Sequence, residues 1–386
     1  MSDFEIRDGI LKRYRGNGAV FTVPEGVTRL GGSVFWGNKT LTEVIIPKGV
    51  KAIGNSAFKA CANLTRVSLP STLTEIEISA FENCAALTEI AIPDGVTVID
   101  CAAFKGCTSL ASVRLPRSLT VLKKDVFHGC KSLTRITVPQ GVTAVGKNAF
   151  CKCASLTEIL IPHSVTSIHD GAFALCTALG EAVIPDSVTQ VGRQAFFNCA
   201  SLKRAILSKN ADRISAECFS CCYKLTEAVI PEGVTEIGRY SFANCPMLTE
   251  VTLPDSVTAV AKTAFDSRGP ISRIYVDPEK LHLLANASAP FWAGVRGCLQ
   301  RTVDRPLTET KQLAMRRCIS EKAEELTESS EDTDALIRGI IETETLSNEA
   351  AEKLLNSRLS PETKALILNY VNQTRLPTDM DSSYNL

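Results

Sequence analysis

Eleven phenylalanines stand 23 residues apart, from Phe35 and Phe58 through to Phe242 and Phe265. Eleven residues before each lies a proline slot: Pro24, Pro47, Pro70, Pro93, Pro116, Pro139, Pro162 and Pro185, then Ser208, then Pro231 and Pro254. Three residues after each phenylalanine, cysteine fills nine successive slots from Cys61 to Cys245, with Asn38 and Arg268 at the two ends. A period this strict leaves few folds open. Each unit must meet the same environment as its neighbours, which is the condition of a stacked solenoid. Deleting one residue from a unit would throw its Phe, Cys and Leu out of their columns, which explains the constant length.

The unit reads P-x-x-V-T-x-I-G-x-x-A-F-x-x-C-x-x-L-T-x-V-x-I. The L-x-x-V-x-I/L segment before the proline alternates as a strand with one buried face. Proline ends the strand because it has no N–H for a ladder. V-T-x-I is a second short extended piece, and A-F-x-x-C suits a tight turn or a short 3₁₀ segment. In the stretch Ala62–Cys84, this assigns Leu64, Val67, Leu69, Phe81 and Cys84 to the interior. Arg66 and Ser68 vary freely on the outside.

After Tyr275–Lys280 the spacing turns helical. A helix is expected from Pro290, allowed in a first turn, and a second over Glu309–Leu326. Leu336, Ile337, Ile340 and Ile341 form the apolar stripe of a third. Ser347 caps a fourth, and Ser360 with Pro361 opens a fifth carrying Leu366, Ile367, Tyr370 and Val371. This array reads as a cover for an open solenoid end, with a second interface as an added role.

The motif LTEIAIPDGVTVIDCAAFKGCTSL (Leu87 to Leu110) resembles the BspA-type, or Treponema pallidum-type, leucine-rich repeat. The resemblance covers about residues 20–276. The opening from Phe4 to Val27 is similar to the N-terminal cap segments of bacterial members. The resemblance implies a right-handed parallel-strand solenoid of about eleven 23-residue units followed by an all-α C-terminal segment. The expected domains are an N-terminal cap (1–23), the solenoid (24–280), a helical domain or cap (281–374) and a flexible tail (375–386). It also implies an interaction or adhesion protein, and it carries over no catalytic residue.

The remaining chemistry is sparse. The nine column cysteines read as a buried thiol ladder. Cys218 takes a small-residue core position, Cys221 an outward one, and Cys151 a surface turn. Four histidines, His128, His163, His169 and His282, share no position and no nucleophile pattern. No P-loop, G-x-G-x-x-G or H-E-x-x-H is present, and no second cysteine pair offers tetrahedral zinc spacing. No enzyme activity, metal or cofactor is therefore expected. A formal net charge of zero gives no pull toward nucleic acid. No apolar run reaches membrane-spanning length. The opening lacks an apolar h-region, so the sequence reads as cytoplasmic. The resemblance keeps a secreted or cell-surface location as the alternative.

Two exposed columns carry the variation. The fourth residue before each proline slot is mostly charged and includes Arg204 and Glu227, which a salt-bridge ladder or a partner would use. The second residue before the slot gives Leu160, Val183, Ile206 and Val229 in four successive units, and Tyr275 at the end of the column. Aliphatic side chains on a wet face point to an interface; internal cover, self-association or plain strand preference are the competing readings. Beside them Ala182, Ala205 and Ala228 thin the core, and the Ser208 unit is the least regular. The expected function is a non-enzymatic module presenting Leu160, Val183, Ile206, Val229, Arg204, Glu227 and Tyr275 to a protein or peptide. The alternative is an adhesin-like or host-directed protein that binds an extracellular protein or glycan.

Overall fold

The computed structural model describes residues 3–266, 271–285, 288–301, 306–323, 331–357 and 359–374. Arg268 and the expected tail 375–386 lie outside them. The chain forms two compact units, Met1–Leu248 with Thr263–Gly269, and Thr249–Lys262 with Pro270–Leu386.

The first unit opens on an antiparallel hairpin, Phe4–Arg7 against Ile10–Tyr14. The second hairpin strand then pairs in parallel with Arg29–Leu30, which turns a hairpin edge into the first rung of the stack. From there the chain winds as the period predicts. A three-residue strand precedes the proline slot and a two-residue strand follows it. Each pairs in parallel with its counterpart one repeat away, as in Val44↔Val67 and Leu30↔Ile53. The expected parallel solenoid of about eleven repeat turns, followed by helices, is the fold observed.

The phenylalanines build the axis of the core. From Phe35 to Phe265 their rings stack in one file, with neighbouring centroids from 4.8 to 5.7 Å apart and planes within 16°. Offset parallel stacking of this kind adds to the burial of each ring. The cysteines stand beside the file as expected, and their chemistry explains the choice of residue. Each thiol donates to the carbonyl of the phenylalanine one turn earlier, at 3.0 Å for Cys61 to Phe35 and 3.3 Å for Cys222 to Phe196. That carbonyl already accepts the N–H three residues on, so the thiol fills its second lone pair without bringing a bulky polar group into the core. At the first turn Asn38 replaces cysteine, and its side-chain oxygen accepts from the backbone N–H groups of Thr40 and Leu41.

One cysteine departs from expectation. Cys151 is buried, not a surface thiol. The position directly after the phenylalanine is tucked into the turn: Ala174, its counterpart one repeat on, is buried as well, and His128, one repeat back, is half-buried.

Two positions per repeat adopt left-handed backbone. They lie nine and thirteen residues after the proline slot, at every turn from Ser33 to Tyr240 and from Gly37 to Asn244. Glycine fills the second position at Gly37, Gly106 and Gly129, but Lys152 (φ 63°) and Leu175 (φ 62°) hold it as well. A side chain there is strained by about 1–2 kcal/mol, and the surrounding turn imposes the geometry. Lys152→Gly, at an exposed position, is accordingly expected to raise stability by about 0.5–1 kcal/mol, because released strain exceeds the added entropy of the unfolded chain. Urea unfolding checks this; a less stable variant would contradict it.

The second unit begins with the parallel pair Glu250–Thr252 and Arg273–Tyr275. A 3₁₀ segment, Pro278–Leu284, is capped by the Asp277 carboxylate. The helices are α1 (Ser288–Arg301), α2 (Glu309–Lys322), α3 (Glu331–Glu342), α4 (Asn348–Leu355) and α5 (Pro361–Thr374). Helix α1 starts two residues before Pro290, which sits in the first turn where no N–H is needed. It lies so close to the strand Arg273–Tyr275 that a Cβ on Gly297 would overlap the Ile274 carbonyl. Arg296 Nε donates to the Ser272 carbonyl at 2.7 Å. Ser347 and Ser360 cap α4 and α5 through their hydroxyls, as their positions predict. Leu336, Ile337, Ile340, Leu354, Ile367 and Val371 are buried.

Candidate functional site

Three consecutive strands of the first unit, Glu181–Val183, Arg204–Ile206 and Glu227–Val229, form one small parallel sheet. Their registers align Glu181, Arg204 and Glu227 in one row, and Val183, Ile206 and Val229 in another. Leu160 extends the second row by one turn and bridges back to Thr137. The alternation of the strand decides what each row meets. Ala182 and Ala205 point inward and are fully buried, while the flanking rows point out.

The outward aliphatic row is exposed as the sequence suggests. Leu160 is 80% exposed, Val183 47% and Val229 39%, with Ile206 half-buried between them. In the charged row, Arg204 bridges both neighbours, reaching Glu227 at 3.0 Å and Glu181 at 3.4 Å. The hydrogen bond and charge of Glu227, then the charge of Glu181, hold its guanidinium above its ordinary range. The arginine therefore ties three turns together along the edge of the apolar row. Such exposed pairs contribute little to stability, about 0–1 kcal/mol each.

Tyr275 belongs to the second unit, is half-buried, and its hydroxyl lies 3.3 Å from Glu250 Oε2. Among the described residues no cluster of three or more His, Cys, Asp or Glu could hold a metal ion. The sequence reading attended only to the strands before the proline. It passed over the surface of the two-residue strands, where Ser167, Gln190 and Arg213 form a row of their own. The signal lay in that polar row, five residues after each proline slot.

Comparison with known proteins gives the family. The profile of the BspA type leucine rich repeat region matches six copies over residues 28–157 and 143–272. The chain belongs to the BspA-type leucine-rich repeat family. A leucine-rich repeat protein from Bacteroides ovatus is 26% identical, covering 71% of this chain and 79% of its own, with a TM-score of 0.57. A leucine rich cell surface protein from Faecalibacterium prausnitzii is also 26% identical, covering 68% and 91%, with a TM-score of 0.46. The leucine-rich repeat protein of T. pallidum is 28% identical, covering 52% and 86%, with a TM-score of 0.38. No curated protein sequence matches the chain significantly. Membership in the BspA-type family suggests a protein-binding or surface repeat role. Among the described residues no helix is long and apolar enough to cross a membrane.

Proposed function

We propose that this BspA-type repeat is a non-enzymatic interaction module that binds a protein or peptide on the face carrying Leu160, Val183, Ile206 and Val229. The observation that carries the reading is the row of Val183, Ile206 and Val229 in one parallel register on the solvent side, with Leu160 at the same repeat position one turn before. Leaving a leucine-sized side chain in water forgoes about 1.5–3 kcal/mol of burial, a cost that Leu160 bears most fully and its three neighbours in part. The charged row beside it, held by Arg204, supplies a polar rim of the kind that surrounds an apolar interface centre.

The test is a double substitution, Leu160→Glu with Val183→Glu. Both side chains are exposed, so stability is expected to move by no more than about 0.5 kcal/mol. A protein captured from extracts of the source cell by the native chain is expected to be lost by the variant at an unchanged Tm. Equal capture by both proteins would overturn the proposal. A fall in Tm of several degrees would place the row under another part of the same chain instead.

The thiols support a reducing compartment for this function. All fifteen cysteines are free, and nine of them serve as hydrogen-bond donors that only the protonated thiol supplies. Acid-quenched alkylation of the protein taken from its source cell is expected to label the cysteines as thiols. A mostly oxidised set would favour the secreted, adhesin-like reading.

A further inference from the structure

The two-residue strands of the first unit hold a feature that the apolar row does not use. They pair without interruption from Val121–Leu122 through Ala144–Val145 and Ser167–Ile168 to Gln190–Val191. Pairing resumes from Arg213–Ile214 to Glu236–Ile237. Between Gln190–Val191 and Arg213–Ile214 the ladder is broken. At the equivalent place in other turns, Gly192 and Gly238 donate a backbone N–H to the carbonyls of Ile168 and Ile214. Here the Ser215 hydroxyl donates to the Val191 carbonyl instead.

The turn before this break lacks its proline, although the ladder is also broken between Val98–Ile99 and Val121–Leu122, where Pro93 and Pro116 are present. Ser208 Oγ accepts from the Asn210 N–H, Asn210 Nδ2 donates to the Asp186 carbonyl, and Asp186 Oδ1 accepts from the Lys209 N–H. The irregular sequence is thus anchored to the turn before it.

A groove of about 620 Å³ lies over this break, within the size range of small-molecule sites. Gly192 lets its turn pack closely on His169 and Asp170, because a Cβ there would overlap their backbone. Its walls carry the Ser167 hydroxyl, the Gln190 and Asn210 amides, the His169 imidazole, the Asp170 carboxylate and the Arg213 guanidinium. Ile168 and Val191, the aliphatic members of the lining, are buried and turn their side chains to the core. Asp170 is fixed, since its Oδ1 accepts the Arg193 N–H at 2.9 Å.

This composition narrows the ligand. The lining exposes polar and apolar surface in near-equal shares, which suits a ligand that carries both hydroxyl groups and C–H faces. An extended peptide reads its partner through separate pockets for alternate side chains, whereas this is one continuous groove. The lining charges are Lys147 and Arg213 against Asp170 and Asp212, two minus two, so a polyanion gains no net attraction. Hydroxyl groups both donate and accept, and they match a wall of amides, carboxylate, hydroxyl and guanidinium. We propose that this groove binds a neutral carbohydrate chain, independently of the apolar row on the other strands.

The test uses the full chain and four neutral oligosaccharides: maltohexaose, cellohexaose, xylohexaose and mannohexaose. Saturation-transfer NMR detects binding and calorimetry measures it. At least one sugar is expected to bind. His169→Ala with Gln190→Ala is expected to weaken it about tenfold or more, the loss of one or two hydrogen bonds, at unchanged Tm. Gln190→Trp, which fills the groove, should do the same and serves where the double variant is unstable. Leu160→Glu should leave sugar binding untouched, which separates this site from the protein-binding face. Binding of none of the four, or binding that survives both groove variants, would overturn the proposal. Retention of a serine-rich peptide with no sugar bound would assign the groove to polypeptide and overturn it as well.

Discussion

Raising the pH from about 9 toward 12 is expected to unfold the repeat region in one steep transition. The thiol file is the reason. Burial pushes Cys61, Cys107, Cys218 and Cys245 up to about 12, and holds Cys84, Cys130, Cys153, Cys176, Cys199 and Cys222 well above the ordinary thiol value of 9.0. In the unfolded chain the same thiols titrate near that ordinary value. Below it both states keep their protons and the full stability is present. Above it the unfolded chain ionises while the folded chain does not, so stability falls until the folded thiols titrate too. Each thiol contributes a slope of about 1.4 kcal/mol per pH unit. Ten together remove roughly 10 kcal/mol or more per unit, comparable with the whole stability of an ordinary domain. A midpoint near pH 10 is therefore expected, about one unit into the thiol range. Circular dichroism against pH, in the presence of reductant, follows it. Cys153→Ser with Cys176→Ser keeps two hydroxyl donors and removes two titrating groups, so the slope should fall by about 3 kcal/mol per pH unit. Ellipticity unchanged to pH 11 would contradict the thiol account.

Phe127→Ala is expected to cost about 3–5 kcal/mol, the range for deleting a fully buried ring and leaving a cavity. Phe127 has no exposed surface. It stacks on Phe104 at 5.5 Å and on Phe150 at 5.7 Å, so the substitution removes two ring contacts along with the burial. Solenoid stability is close to a sum of repeat and neighbour terms. A gap in the middle of the file should therefore weaken cooperation between the turns on either side. Denaturant unfolding is expected to broaden or split as well as shift. Phe35→Ala should cost a similar amount without splitting, because Phe35 lies at the first turn of the file. A loss at Phe127 below about 1 kcal/mol would show that the file adds little beyond ordinary packing.

These effects were legible because each repeat places the same residue type in the same environment. Phe81 and Cys84 need no structure to be assigned to the interior once their ten and eight counterparts are aligned. The helical caps Ser347 and Ser360 were legible for a different reason, since local backbone chemistry fixes them. The left-handed positions were not. They are set by the turn, which forces even Leu175 and Lys152 into a conformation their side chains disfavour, so composition hides them. Cys151 was misplaced because its burial depends on how the turn tucks against its neighbours. The groove was missed because a broken ladder is a statement about backbone spacing. Only the Ser208 unit beside it, which lacks its proline, stood in the sequence as an irregularity. The aliphatic row was visible as a column, yet nothing in the letters could say that Leu160 would stand so far into solvent.

The central claim is that the core columns hold the solenoid together and the outward aliphatic row is where a protein binds. A photo-crosslinking residue placed at Val183, and separately at Arg114 in the same column three turns earlier, tests it most directly. Both positions are exposed and both strands have the same geometry. Irradiation in the source cell is expected to give a discrete protein adduct at Val183 and none at Arg114. No adduct at Val183, or the same adducts from both positions, would contradict the claim.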